Sequence, residues 1–176
     1  MYPLAHIVVA TALARAGECA LRRPSNDAAP QSVAAPAARL DYRLVALGAW
    51  LPDIIDKPIA WWSIPHSWPD DHLFAHTLVF ALMLCVLGAF LASHHDFRIL
   101  AVGMGVLVHR VCDPLFLETG TLFWPLTGVE FHKHTTGLGL ANNLQLDALA
   151  ALALGLVLIA LWRNGRLPGL IREGRL

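Results

Sequence analysis

The chain has 176 residues, of which 56% are hydrophobic and 15% are charged. This length suits one domain, and the apolar fraction exceeds that of ordinary soluble proteins, so the composition indicates a membrane protein. A formal net charge of zero gives no indication of the basic surface that is typical of nucleic-acid binding. The cysteines, Cys19, Cys85 and Cys112, lack paired spacing and are predicted to be small apolar core residues. We therefore expect a single membrane-embedded domain over residues 1–176.

The N-terminal part is predicted to contain a short helix, a loop and an interrupted helix. Pro3–Ala16 is apolar, and no basic region precedes it, so we expect a short structural helix and no cleavable signal peptide. Residues 21–40 are rich in Pro, Ala and Ser, which is typical of a flexible loop. The next apolar segment, Leu44–Trp62, contains the polar stretch "LPDIIDKP". We predict that this helix enters the membrane and stops at that stretch.

Further segments have the length of a membrane-spanning helix, which requires about 20 apolar residues. They are Leu73–Ser93, Ile99–Leu117 and Leu144–Trp162. Between the last two, Glu118–Asn143 is predicted to form a loop. The sequence therefore predicts an all-α, multi-pass membrane bundle of about five helices, of which three are clearly transmembrane, one is interrupted and one is short.

The positions of basic residues orient this bundle, because Lys and Arg near helix ends stay preferentially on the cytoplasmic side. The first loop, the turn after residue 93 and the tail contain Arg22, Arg23, Arg39, Arg43, Arg98, Arg163, Arg166, Arg172 and Arg175. Alternating helices put all of them in the cytoplasm if the N-terminus lies outside. The extracytoplasmic face then holds few basic residues, which are Lys57, Lys133 and Arg110.

The same orientation gathers acidic and imidazole side chains at the extracytoplasmic face. These side chains can all bind a metal ion, and they are His6, Asp53, Asp56, His72, His76, His109, Asp113 and Glu118. Because the orientation rests on Arg and Lys alone, this clustering is an independent indication of a metal site at that face.

The spacing of these residues also favours metal binding. Several pairs are three or four residues apart, which puts both side chains on one face of a helix. The pairs are Asp53 with Asp56, His72 with His76, and His109 with Asp113. Carboxylate and imidazole ligands together suit Zn²⁺, with Mn²⁺ or Fe²⁺ as alternatives, and the absence of Cys ligands argues against a purely structural zinc. A mixed site keeps an open position at which the ion activates water for attack on a phosphoryl or acyl centre.

Other interpretations of these residues stay open at this point. Arg110 lies three residues before Asp113 and is placed to form a plain ion pair with it. Asp53 and Asp56 are also suited to ending a helix, and Asp71 to capping the next one. Three of the remaining histidines, His66, His94 and His95, are expected to be hydrogen-bonded residues without a functional role. The other two, His132 and His134, are either surface residues or a further metal site.

Sequence blocks along the chain resemble, in order, those of the YdjM-like family of inner-membrane metal-dependent hydrolases. The blocks are "AHIVVATALA", "GAWLPDIIDKP", "DHLFAHTLVFAL" and "GVLVHRVCDPLFLETGTLFWPL". They cover nearly the whole chain except the Pro/Ala-rich loop and the tail. That family is similar in turn to zinc-dependent phospholipase C and the related zinc nucleases, which are helical enzymes with clustered His and Asp ligands. The resemblance implies a phospholipase C-like metal site in the cell inner membrane.

The resemblance also implies roles for individual residues. The implied metal ligands are Asp53, His76, His109 and Asp113 for one ion, and His6 for a second ion that Asp113 bridges. Asp71 or His72 would supply an additional ligand. Asp56 matches the second acid of the family, and Glu118 matches an acid before the "WP" element that would be a late ligand or a general base.

These observations together predict a membrane-bound hydrolase. Zinc, as one or two ions, would activate water to cleave a phosphoester in a lipid or lipid-linked substrate, because such a substrate lies at the depth of the site. Asp56 or Glu118 would orient or deprotonate that water, and Arg110 or Lys57 would contact the phosphate. The alternatives are a metal-ion-binding transporter and a non-catalytic membrane protein with a structural metal. We expect no nucleic-acid partner, and the sequence does not specify an oligomeric state.

Overall fold

Every regular element in the described part of the chain is helical, which agrees with the predicted all-α class. The computed structural model describes residues 3–21, 40–62, 72–113, 119–128 and 140–175. The helices are α1 (Pro3–Leu21), α2 (Tyr42–Trp62), a 3-10 helix (Phe74–His76), α3 (Leu78–Ser93), α4 (Arg98–Cys112), α5 (Thr119–Leu122), α6 (Leu140–Arg163) and α7 (Leu167–Glu173). The described residues thus form more helices than the sequence predicts. Most of the predicted loop at 21–40 lies outside them.

The predicted helix Leu73–Ser93 is wrong at its start, because the chain forms a 3-10 helix and then a separate α-helix. Thr77 stands between the two helices with an extended backbone, at φ −87° and ψ 152°. Its side-chain oxygen accepts a hydrogen bond from Phe80 N at 3.1 Å and so caps α3. Threonine hydroxyls compete with helix continuation in this way. The break lets His76 project in a direction that a continuous helix would not give it.

The predicted helix Ile99–Leu117 also ends earlier than expected. The last residue of α4 is Cys112, and Asp113 is extended, with ψ 135°. The next residue in the sequence is Pro114, and a residue before proline is disfavoured in the α-helical region. Asp113 is therefore the C-cap of α4 and not, as the sequence suggested, a residue on its face.

α1 and α2 are both longer than predicted. α1 continues past Ala16 to Leu21. α2 does not stop at "LPDIIDKP" but continues to Trp62 with two prolines inside it. Its buried residues recur every three or four positions and include Asp53 and Asp56. The idea that these two acids merely end a helix is therefore wrong, since both project from the inner face of α2.

α2 and α4 pack closely because glycines remove side chains from their contact. A Cβ atom at Gly48 would collide with the backbone of Val102. One at Gly105 would collide with the backbone of Val45 and Ala49. Further along both helices in the same direction, this contact brings Asp53 of α2 next to His109 of α4.

Among the described helices, only α6 is long and apolar enough to cross a membrane, judged by length and composition. The qualifying segment is Leu144–Arg163, with 20 residues, and nearly all of it is exposed. α3 has 16 residues and α4 has 15, which is fewer than the ~20 that a span requires. The predicted set of three clear spans is therefore not confirmed.

A buried polar group, which we call the Glu18 cluster, joins the C-terminal end of α1 to the N-terminal end of α2. It consists of Glu18, Arg15, Leu40 and Tyr42. Glu18 Oε2 accepts a hydrogen bond from Tyr42 Oη at 2.9 Å, and Oε1 accepts one from Leu40 N at 3.2 Å. Arg15 Nη1 lies 3.4 Å from Oε2. The carboxylate is thus neutralised and bonded by its own chain.

α7 is fastened to the start of α2 by hydrogen bonds. Tyr42 N donates to Gly174 O at 2.9 Å, and Arg43 Nη1 donates to Ile171 O at 2.8 Å. Gly174 has a φ of 69°, and a Cβ atom there would collide with Asp41. The hydrogen bond from Arg43 to Asp41, at 2.7 Å, holds the pKa of the Asp41 carboxyl below its ordinary value.

Candidate metal centre

The side chains predicted to bind metal converge in one buried group, which we call the His–Asp cluster. It consists of His6 from α1, Asp53 from α2, His76 from the 3-10 helix, His109 from α4 and Asp113 from the C-cap of α4. Their relative exposures lie between 0% and 3%. Buried polar groups are costly unless they are bonded or hold an ion, so the cluster requires a partner for its polar atoms.

Hydrogen bonds fix which ring nitrogens of His76 and His109 face the cluster. His109 Nδ1 lies 2.7 Å from Ala49 O, which can only accept, so Nδ1 carries the proton. His76 Nδ1 lies 2.7 Å from Asp56 Oδ2 and donates to it. In each neutral ring Nε2 is then an acceptor, and the two Nε2 atoms face each other at 3.2 Å. Two lone pairs at this distance repel each other unless a metal ion or a proton lies between them.

Carboxylates surround the same point. Asp113 Oδ1 lies 3.3 Å from His6 Nε2, and Asp113 Oδ2 lies 3.2 Å from His109 Nε2. Asp53 Oδ1 lies 3.5 Å from His76 Nε2. Within the described ranges, neither ring nitrogen of His6 and neither oxygen of Asp53 has a hydrogen-bond partner. The cluster therefore presents both neutral imidazole nitrogens and carboxylate oxygens without saturating them.

The donor set fits a divalent cation. Tetrahedral zinc with bonds of about 2.0–2.1 Å separates two ligand nitrogens by about 3.3 Å, close to the 3.2 Å between His76 Nε2 and His109 Nε2. Two sets of three residues have ligand atoms within 4.8 Å of one another, namely His6, Asp53 and His109, and His72, His76 and Asp113. This grouping differs from the set implied by the family resemblance, which assigns Asp53, His76, His109 and Asp113 to one ion.

Asp56 lies beside the cluster, but its oxygens bond to the 3-10 helix. Oδ2 accepts from Leu73 N at 2.8 Å and from His76 N at 3.1 Å, in addition to the His76 ring. Oδ1 accepts from Ala75 N at 3.1 Å. Asp56 thus holds the 3-10 helix against α2 and orients the imidazole of His76.

The other predicted site residues are placed as follows. His72 is 3% exposed, and its ring centroid lies 4.5 Å from that of His76, so it adjoins the cluster. Lys57 Nζ lies 3.2 Å from Asp53 Oδ2, and its side chain is 36% exposed. His94 and His95 are exposed at the turn after α3. Residues outside the described ranges, whose roles stay predictions, are His66, Asp71, Glu118, His132 and His134.

The ion pair between Arg110 and Asp113, left open by the sequence, does not form. Arg110 is 4% exposed, and none of its three guanidinium nitrogens has a hydrogen-bond acceptor in the part of the chain that the structure describes. Asp113 directs its two oxygens to His6 and His109 instead.

The sequence analysis missed two polar groups near the cluster. The first is the carbonyl of Ala49, which fixes the tautomer of His109. Its only signal is indirect, because Gly48 and Gly105 mark a close approach of two backbones. The second is Thr121 of α5, which is 1% exposed and whose hydroxyl has no partner among the described residues. Nothing in its sequence context distinguishes it.

Fold and site together define a helical protein with a buried candidate metal centre and one helix of membrane-spanning length. A sequence model of the YdjM inner membrane protein family matches residues 1–170, so the chain belongs to that family. The family description is that of an inner membrane protein. Searches of curated proteins and of solved structures gave no match. The predicted similarity to zinc-dependent phospholipase C and the zinc nucleases therefore gains no support from these comparisons.

Proposed function

We propose that this chain is a membrane-bound, metal-dependent hydrolase that cleaves a phosphoester in a lipid or lipid-linked substrate. One observation carries the proposal. The Nε2 atoms of His76 and His109 face each other at 3.2 Å, each with its other nitrogen already donating, beside the carboxylates of Asp53 and Asp113. A cation between these atoms turns a repulsive arrangement into an attractive one.

Zinc is the proposed ion, with manganese or iron as alternatives. Imidazole nitrogens mixed with carboxylates suit these metals, and the described cysteines are not among the grouped ligands. His76 and His109 with one neighbouring carboxylate would give three protein ligands, which is typical of a catalytic zinc site that keeps a position open, whereas structural zinc sites use four. When bound, the ion supplies Lewis-acid activation of water and of a phosphoryl oxygen.

The chain's own residues have distinct proposed roles. In the reaction, the oxygen of water bonds to phosphorus, the ester P–O bond breaks, and the proton that water loses ends on the leaving oxygen. We assign Asp56 to positioning, in place of the predicted contact with water, because its oxygens already accept hydrogen bonds from the 3-10 helix. Glu118 stays the proposed general base. Lys57 reaches from solvent to Asp53 and would contact the phosphate of an arriving substrate.

A lipid substrate is favoured by what surrounds the cluster. Lys57 also lines an open cavity of about 450 Å³ together with Pro58, Trp61 and Trp62. Both tryptophans are 89% exposed, and exposed tryptophan is typical of the interface between membrane and water. The asymmetry of Arg and Lys along the sequence favours the extracytoplasmic side of the inner membrane for this site.

The experiment is a hydrolysis assay of the purified chain in detergent, with phospholipid and generic phosphodiester substrates, before and after chelation. We expect chelation to abolish hydrolysis and zinc to restore it. Asp113→Asn should abolish it as well, whereas Asp96→Asn, at an exposed turn, should have no effect. Hydrolysis that survives both chelation and Asp113→Asn would contradict the proposal. Bound metal without any hydrolysis would favour the structural-metal or transporter alternative.

A further inference from the structure

Arg110 is a buried cation whose guanidinium has no hydrogen-bonded counter-ion among the residues that the structure describes. Its relative exposure is 4%, and no described residue accepts a hydrogen bond from its guanidinium. The carboxylates whose charge reaches it are Asp113 and Asp56. Asp113 contacts two histidines, and Asp56 bonds to the 3-10 helix, so both are occupied elsewhere. An unpaired buried charge is strongly destabilising, which points to a ligand as its counter-ion.

The packing register places Arg110 at the beginning of α3. Gly88 of α3 packs against Leu100 of α4, and Gly103 of α4 packs against Cys85 of α3. The two helices therefore run antiparallel with a constant register. Arg110 lies seven residues, or about two helical turns, beyond Gly103 and on the same face of α4. The same register brings it level with the first turn of α3.

The first turn of α3 favours an anion. Its leading backbone N–H groups have no acceptor within the helix, and Thr77 Oγ1 caps only that of Phe80. The positive end of the helix dipole and the guanidinium of Arg110 repel each other unless a negative charge lies between them. α5 packs against the 3-10 helix that precedes α3, and it contributes the unpartnered buried hydroxyl of Thr121.

We propose that Arg110, the first turn of α3 and Thr121 form a binding site for a phosphoryl group beside the His–Asp cluster. The inference rests on the proposed function and names the residues that hold its substrate. A guanidinium bonds two oxygens of a phosphoryl group at once. Among the described residues of the site, the carboxylates of Asp53, Asp56 and Asp113 outnumber the cations Arg110 and Lys57 by one. A single divalent ion would make this described group positive, and a phosphate anion would compensate that charge.

The test is the binding of inorganic phosphate to the zinc-loaded full chain in detergent, measured by calorimetry. We expect Arg110→Gln to weaken binding about tenfold to a hundredfold, the worth of charge-assisted hydrogen bonds, with zinc content unchanged. The phosphate affinity of Arg110→Lys should lie between those of Arg110→Gln and wild type, since lysine keeps the positive charge but cannot bond two phosphate oxygens at once as a guanidinium does. The matched control is Arg98→Gln, at an exposed position of the same helix, which should bind as the wild type does. Equal phosphate affinity in Arg110→Gln and wild type would overturn the inference, as would a wild type that binds no phosphate.

Thermal unfolding gives a second readout that does not depend on binding affinity. In phosphate-free buffer, Arg110→Met should melt at the same temperature as wild type or higher, because it removes an unpaired buried charge. Phosphate should raise the Tm of wild type and leave that of Arg110→Met unchanged. A clearly lower Tm of Arg110→Met without phosphate would mean that the chain itself neutralises the guanidinium, and the inference would fail.

A phosphoryl group can come from a lipid headgroup or from free phosphate, and a parallel titration separates them. If Arg110-dependent binding is tighter for micelles of a short-chain phosphatidylglycerol than for inorganic phosphate, the site recognises a lipid headgroup. If the two bind equally, the site recognises the phosphoryl group alone. The proposed function fails separately, because a chain that binds phosphate through Arg110 but hydrolyses nothing keeps this site and loses the activity. A chain with zinc-dependent hydrolysis that Arg110→Gln leaves unchanged in both KM and kcat keeps the activity and loses this site.

Discussion

The two buried polar groups that join α1 to α2 differ in how their charges are satisfied. In the Glu18 cluster, the carboxylate accepts hydrogen bonds from Tyr42 and Leu40 and lies near Arg15. In the His–Asp cluster, Lys57 Nζ lies 3.2 Å from Asp53 and Asp113 lies 3.3 Å from His6, but Asp53 and His6 have no hydrogen-bond partner of suitable geometry among the described residues. In the first group, residues of the chain itself supply the hydrogen bonds of the carboxylate when the protein folds. The second leaves polar atoms without a bonded partner among the described residues, and the cation of the proposed function would bind to them.

This difference distinguishes a buried acid whose hydrogen bonds the fold supplies from one that is proposed to bind a metal ion, and residue type alone does not make that distinction. Glu18 and Asp53 are both carboxylates on helices that pack together, with relative exposures of 8% and 3%. What distinguishes them is the supply of donors around each oxygen. Substitutions that disturb both clusters together, or only one of them, test whether the two clusters are independent of each other.

The largest effect should come from Gly48→Ala, because Gly48 lies on α2 between the two regions. Its Cβ would collide with the backbone of Val102 and force α2 away from α4. We expect a loss of about 3 kcal/mol in stability, read as a lower Tm in detergent, together with weaker zinc binding. Gly155→Ala on α6 is the control, since nothing lies within 4 Å of a Cβ there, and it should be neutral or slightly stabilising. A Gly48→Ala chain as stable as wild type would contradict the close helix contact.

The next effect should come from Asp56→Asn, which affects the His–Asp cluster alone. Asparagine puts an amide donor against backbone N–H groups of the 3-10 helix and weakens the bond that orients His76. We expect zinc affinity to fall about 10- to 100-fold, measured by competition with a chromophoric chelator. Asp96→Asn is matched to it, because Asp96 also accepts a backbone N–H, from Arg98 at 3.0 Å, but is exposed. Equal zinc affinity in the two variants would show that Asp56 does not position His76.

Tyr42→Phe should affect the Glu18 cluster alone. It removes the hydroxyl that donates to Glu18 Oε2 at 2.9 Å while keeping the ring. We expect a loss of about 1–3 kcal/mol in stability, because a buried acceptor loses a donor. Zinc content and affinity should stay at the wild-type level. If Tyr42→Phe lowered zinc affinity as much as Asp56→Asn does, the two regions would not be independent.

The smallest effect concerns the attachment of α7, near the Glu18 cluster. Because Arg43 lowers the pKa of Asp41, the ionised Asp41 stabilises the folded state. This stabilisation is fully present above the ordinary carboxyl pKa of about 3.9. It is lost as the pH falls from there through the lowered pKa of the folded state. Asp41→Asn should therefore cost less than about 1 kcal/mol at pH 7 and nothing at a pH below both values. A Tm difference between Asp41→Asn and wild type that grows on acidification would contradict this sign.

The sequence predicts the members of the His–Asp cluster better than it predicts their surroundings. Helical spacing and charge bias gathered eight candidate side chains at one face, and the family resemblance reduced them to His6, Asp53, His76, His109 and Asp113, which the structure brings together. Their connection to one another depends on local breaks. Thr77 and Pro114 both indicate such breaks, and both were passed over when apolar residues alone set the bounds of the helices.

The remaining features depend on tertiary contacts that no local pattern encodes. Asp56 has the same type and nearly the same position as Asp53, yet the 3-10 helix supplies its donors. Arg110 has no hydrogen-bonded partner among the described residues, so the nearness of Asp113 in the sequence did not predict an ion pair. The three predicted spans are not confirmed, because the predicted segments included residues beyond the ends of α3 and α4.

The most direct test of the central claim, that the His–Asp cluster holds a divalent cation, is the metal content of the purified full chain by mass spectrometry. The account predicts about one to two equivalents of zinc, or of manganese or iron, that a chelator removes. It also predicts loss of this metal in Asp113→Asn and retention in Tyr42→Phe. A wild-type chain without a bound divalent cation, even after incubation with zinc, would contradict it, as would an Asp113→Asn chain that retains the full amount.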